Sequence, residues 1–139
     1  GRFGGPCVGE PHRIDPSSRP YDPAGLERKP EVGAAGFAAL DLRVGTVVDA
    51  APFPEARDPA LILSVDFGPL LGVLRTSAKI TNYPPQELVG RQVVGAVNLG
   101  SRRIAGVVSQ FLVLGGLEPD GTVRLLSPDG DLPDGAPVG

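Results

Sequence analysis

The sequence predicts an all-β domain, a small barrel or a sandwich, and three observations carry that expectation. Sixteen prolines and 20 glycines in 139 residues demand many turns. Apolar side chains recur at every second position in several short runs, which is the period of a half-buried strand. The hydrophobic fraction of 41% is ordinary for a folded chain, and the length suits one modest core.

Residues 1 to about 34 read as a Pro/Gly-rich disordered tail. Pro6, Pro11, Pro16, Pro20, Pro23 and Pro30 are separated by glycine and charge, with no periodic apolar face to bury. The folded domain is expected over 35–139. It opens with a helical turn from Ala34 to Leu40, which sets Phe37 and Leu40 three apart on one face. From Leu42 to Ala50, one strand face carries Leu42, Val44, Thr46 and Val48, and the other Arg43, Gly45, Val47 and Asp49. Gly45 within it suggests a bulge or sharp bend. A proline-flanked loop, Pro52 to Pro59, leads to a second strand, Ala60 to Phe67, with Leu61, Leu63, Val65 and Phe67 aligned. Gly68, Pro69 and Gly72 bracket a reversal into a third strand, Val73 to about Ser77. The pair Pro84-Pro85 opens a single helical turn, since proline is tolerated at a helix start. Gln92 to Asn98, Ser109 to Leu114 and Val123 to Leu126 supply the remaining strands. Three strands, a short helical connection and further strands is the order of an OB-fold, a five-stranded barrel. Alternation alone leaves the sandwich open.

Net charge is −3, which argues against indiscriminate nucleic-acid binding. The charge is uneven, however. Between Phe67 and Leu117 lie Arg75, Lys79, Arg91, Arg102 and Arg103 against a single acid, Glu87. The pattern allows a basic face on an acidic body, or merely solvated loop cations.

Catalysis fails on inventory. The only His and Cys, His12 and Cys7, both fall in the tail, so the usual base and nucleophile are missing and no catalytic residue is assigned. Two lone ligands five residues apart make no metal site, and no glycine-rich phosphate loop with its lysine occurs, so neither metal nor cofactor is expected. One Cys rules out an internal disulfide, which fits a reducing compartment. The absence of a charged-then-apolar leader and of a long apolar run makes a cytoplasmic protein without membrane contact the expectation. No Met occurs, so either an initiator was removed or the chain was cut from something longer.

The most informative stretch runs from Asn98 to Gln110. It sets Arg102 and Arg103, beside a turn-forming Gly100-Ser101 pair, between hydrophobic strands. Arg grips phosphate oxygens with a planar fork, so this pair is either a phosphate contact or a solubilising hairpin tip. Asn98 and Ser109 flank it at two strand ends. They suit hydrogen bonds to a sugar, a base edge or a peptide backbone, or the capping of those ends. Thr76, Ser77 and Lys79 form a second candidate group, because Thr-Ser-Ala-Lys shows no apolar alternation. Arg43 reads as a structural partner of Asp41 or Asp49. Phe111 suits base stacking or an apolar peptide pocket, although an alternating Phe-Leu-Val-Leu run is more often core.

From Phe37 onward, these runs resemble the tRNA-binding-domain family, and most closely its stand-alone bacterial branch of CsaA-type secretion chaperones. The matching segments run from Leu40 to Val47, Phe53 to Arg57, Val65 to Gly68, Thr76 to Thr81, Glu87 to Val94, Asn98 to Gln110 and Phe111 to Gly115. The resemblance implies the OB barrel, with extra strands or turns after Gly115. It also implies a non-catalytic protein binding structured RNA, tRNA above all, through Ser77, Lys79, Asn98, Arg102, Arg103 and Ser109. The alternative is a CsaA-like chaperone for unfolded or export-destined polypeptides. Phe111-Leu112 stands where the family's tRNA-binding members carry Gly-Met, which favours the chaperone branch. Members of both kinds are homodimers, for which Phe37, Leu40 and the end from Leu132 to Val138 are the candidate interface.

Overall fold

The computed structural model describes residues 20–139; Cys7 and His12 lie outside them. The described chain runs through a helical turn α1 (Gly33–Ala38), a long strand β1 (Leu42–Pro52), β2 (Leu61–Asp66), a one-turn α2 (Gly68–Leu71) and β3 (Val73–Ala78). After α3 (Pro85–Leu88) come β4 (Gln92–Ala96), β5 (Arg102–Ile104), β6 (Val107–Ser109), β7 (Leu112–Val113), β8 (Gly115–Leu117) and β9 (Val123–Leu125). Antiparallel pairing orders five strands as β3-β2-β1-β4-β7, with β5-β6 and β8-β9 as separate hairpins. This is the all-β, nearly closed five-stranded barrel of the OB class. The expected strands recur within one or two residues at most ends. The run predicted from Ser109 to Leu114 is instead shared between β6 and β7, and β5 and β8 are additions.

Strand alternation builds the core. Leu61, Leu63 and Val65 point inward from β2 into a cluster with Phe67, Val47, Val93, Ile80, Leu88, Phe111 and Leu125. Full burial of such side chains contributes about 1.5–3 kcal/mol each. On β1 the face carrying Gly45 and Val47 turns into the barrel.

Gly45 is not the bulge. The register with β2 slips at Val47/Asp49, three residues further on, and leaves Val48 outside. Gly45 is required for another reason: a Cβ there would lie 2.6 Å from Val65 Cγ1 and 2.8 Å from Phe67 Cδ1. Gly95 makes the same room beneath Phe111 and Phe67, whose rings meet edge to face at 5.0 Å.

The chain's last residues complete the sheet edge that β2 leaves open. β2 pairs with β1 only from Thr46 onward. Before it, Gly135 N–H donates to Val44 O (2.7 Å), Val44 N–H to Ala136 O (2.9 Å) and Val138 N–H to Leu42 O (2.9 Å). Arg43 supports this seam, donating to both oxygens of Asp41 and to Gly135 O. Its structural reading therefore holds.

Candidate nucleic-acid interface

The Asn98–Gln110 stretch folds into the β5-β6 hairpin rather than an open loop. Arg102 lies opposite Ser109, Arg103 opposite Val108 and Ile104 opposite Val107. The two-residue turn falls at Ala105-Gly106, not at Gly100-Ser101, with φ of 48° and 88°. Two positive φ angles are the mark of the tight turn whose twist matches a hairpin. Gly106 adopts one freely. Ala105 bears the Cβ penalty, about 1 kcal/mol.

Hydroxyl chemistry attaches this hairpin to the barrel. Thr76, only 2% exposed, has one proton to give and donates it to Phe111 O at 2.7 Å. The Ser109 hydroxyl, 2.9 Å away, must then be the donor to Thr76 Oγ1, and Ser109 Oγ receives the Ser77 N–H at 3.4 Å. Next to them, Gln110 N–H donates to Arg75 O at 2.7 Å and its Oε1 accepts from Arg75 N–H at 3.0 Å. β3 is thus tied to the end of β6 and the β6-β7 connection through side chains as well as backbone.

The alternation missing from Thr-Ser-Ala-Lys is present after all. Thr76, Ala78 and Ile80 are buried, while Ser77 is half-buried and Lys79 exposed. The inward position at Thr76 carries a hydroxyl because it has two oxygen partners to satisfy there.

One cavity of about 450 Å³ gathers Ser77, Lys79, Arg102, Arg103 and Ser109. The β1-β2 loop adds Arg57 and Asp58, held in place as Phe53 N–H donates to Ala60 O and Ala56 N–H to Phe53 O. Arg57 was not singled out by sequence reasoning. Its signal was positional, because this loop frames the binding face of OB barrels. Lys79 forms an ion pair with Asp58 at 3.4 Å. Among the described residues, no carboxylate lies within ion-pair distance of Arg102 or Arg103. A smaller cavity of about 190 Å³ shares Ser77 and Lys79 and is lined beyond them by Ile80, Leu114, Leu117 and Val123.

The remaining candidates lie elsewhere. Asn98 does not line the cavity; its amide accepts from Asp41 N–H at 2.9 Å and donates to Ala39 O at 2.8 Å, pinning the connection from α1 to β1. Phe111 forms part of the cavity wall, yet it is only 4% exposed and its ring belongs to the core. Phe37 and Leu40 are 50% and 43% exposed on the α1 segment, and neither lines the cavity. Arg91 leaves the basic group altogether: its guanidinium lies 5.2 Å from the Tyr83 ring centroid and donates to Ser127 Oγ and Leu125 O. Among the described residues no cluster of three His, Cys, Asp or Glu is placed to hold a metal, and no helix is long and apolar enough to cross a membrane.

Residues 42–137 match the family model described as "Putative tRNA binding domain". The chain belongs to this family. A methionine–tRNA ligase from Methanothrix thermoacetophila is 40% identical over 113 residues, spanning 81% of this chain but 16% of the ligase. The chaperone CsaA from Bacillus anthracis is 45% identical with a TM-score of 0.75, covering 79% of this chain and all of the other. CsaA from Picrophilus torridus is 36% identical with a TM-score of 0.74, over 78% of this chain and all of its own. This tRNA-binding domain is therefore similar both to a small segment of a ligase and to the whole length of two CsaA chaperone chains. Its barrel strands and both hairpins all fall inside the matched region.

Proposed function

We propose that this domain binds structured RNA, with tRNA as the first candidate, and does so without catalysis. The observation that carries the reading is the convergence of Arg57, Lys79, Arg102 and Arg103 on one cavity. Those cations come from a loop, from the end of β3 and from a hairpin, so no local sequence need explains their meeting. Ser77 and Ser109 set hydroxyls beside them, suited to phosphate and sugar oxygens. Such a site recognises backbone and shape before base identity. Residues 35–139 form the functional domain, with 1–34 an appended tail, and the setting is cytoplasmic. Two copies pair through Phe37 and Leu40, doubling the surface offered to a folded RNA.

A second reading, chaperone binding of unfolded or export-destined polypeptide, is favoured by one observation. The smaller cavity continues the basic one with Ile80, Leu114, Leu117 and Val123, an apolar extension a polypeptide would use and a phosphate backbone would not.

Fluorescence anisotropy with tRNA over a salt series tests the first reading. Neutralising three or four phosphates gives a log–log slope of magnitude about 2–4. Salt-sensitive binding that Arg102→Ala/Arg103→Ala strongly weakens supports it. No binding at low salt sinks it, and suppression of aggregation of an unfolded client then becomes the deciding assay.

A further inference from the structure

The cavity that collects four cations also holds one carboxylate, and its position is specific. Asp58 stands next to Arg57 on the ordered β1-β2 loop, with its carboxylate 3.4 Å from Lys79 Nζ. Both side chains are well exposed, 59% for Asp58 and 43% for Lys79, so the fold gains little from the pair. An exposed carboxylate 3.4 Å from the Lys79 ammonium carries the same sign of charge as a phosphate oxygen and competes for the same cation. Lys79 also lines the smaller cavity described above and a third, of about 410 Å³, that it shares with Asp58, Asn82 and Asp120.

We propose that Asp58 is a built-in competitor for phosphate: it occupies Lys79 in the unbound domain and must be displaced before that lysine can neutralise a ligand. This inference rests on the RNA-binding reading. Asp58 thereby makes the groove discriminating. A phosphate placed accurately enough to replace the carboxylate gains Lys79, whereas a loosely held polyanion meets a resident negative charge. An acidic chain with a basic cavity would otherwise owe its selectivity to Arg57, Arg102 and Arg103 alone.

The test is tRNA anisotropy over a salt series with wild type, Asp58→Asn, Lys79→Ala and the double variant, thermal midpoints being recorded for each. Asn keeps the size of Asp and removes the charge. Asp58→Asn is expected to tighten tRNA binding about two- to fivefold, the scale of one exposed ion pair. In the Lys79→Ala background the same substitution should gain less than half as much. Unchanged affinity in Asp58→Asn would overturn the inference, and so would an equal gain without Lys79. Loss of wild-type binding that depends on Arg102 and Arg103 would instead strike the RNA reading itself, so the two failures are told apart.

Discussion

The two small hairpins of this domain, β5-β6 and β8-β9, are built alike and differ in how their arginines are partnered. Each has two three-residue strands standing apart from the five-stranded sheet, and each carries exposed arginine. In β8-β9 the arginine is matched: Arg124 pairs with Glu118 on the facing strand side. That hairpin is also bolted down on several sides. Leu125 is in the core, its N–H donates to Tyr83 Oη, Asn82 holds Val123 O, and Tyr21 donates its hydroxyl to Leu117 O. In β5-β6, Arg102 and Arg103 have no carboxylate partner among the described residues, and the attachment is a short chain of hydroxyls and one glutamine. The difference is one of neutralisation: one arginine is paired within its own hairpin, while the other two line a cavity beside Lys79.

Substitutions sharpen that contrast. The largest stability loss is expected from Leu125→Ala, about 2–5 kcal/mol for a truncated core leucine, read as a lower urea midpoint. Arg102→Ala/Arg103→Ala should leave that midpoint alone but weaken tRNA binding by roughly 30- to 100-fold, as two charge-assisted contacts are lost. Arg124→Ala is the control, with tRNA affinity unchanged; a comparable loss there would erase the distinction between the hairpins.

Thr76→Val keeps the shape but strands Phe111 O and the Ser109 hydroxyl, at a cost of about 1–3 kcal/mol. Because the same bonds attach the arginine hairpin, tRNA affinity should fall alongside the urea midpoint, with faster amide exchange in β5-β6. Full protection there would show that the hydroxyls do not anchor it. Ala105→Gly relieves the positive-φ turn and should stabilise by up to about 1 kcal/mol.

The smallest effect belongs to Asp120, whose carboxyl the Thr122 N–H and hydroxyl hold below its ordinary value. A depressed carboxylate stabilises the fold above its unfolded value and loses that contribution as pH falls through the folded one. Asp120→Asn should therefore slightly flatten the acid limb of the stability curve and leave neutral-pH binding unchanged.

Much of the barrel was legible because strands announce themselves locally. β2 reads directly from Leu61, Leu63 and Val65, and α3 from its two prolines. Gly45 was legible as special but not for its true reason, since the crowding comes from Val65 and Phe67 on another strand. The arginine pair stood out by adjacency alone. Arg57 did not, because nothing near it in sequence says that its loop closes over Ser77 and Lys79. Arg91 and Asn98 show the reverse: each has the chemistry of a binding residue, yet each is committed to backbone or side-chain groups more than 30 residues away.

By itself, then, the sequence determined the succession of the main barrel strands, the family and the presence of an uneven basic segment in an acidic chain. All three depend on residue type and spacing along the backbone. The tertiary structure alone decided which of those cations share a cavity, which are neutralised, and that a carboxylate stands among them. Coulomb attraction and hydrogen bonding depend on separations in space, and closing a barrel sets those separations between residues that the chain keeps far apart.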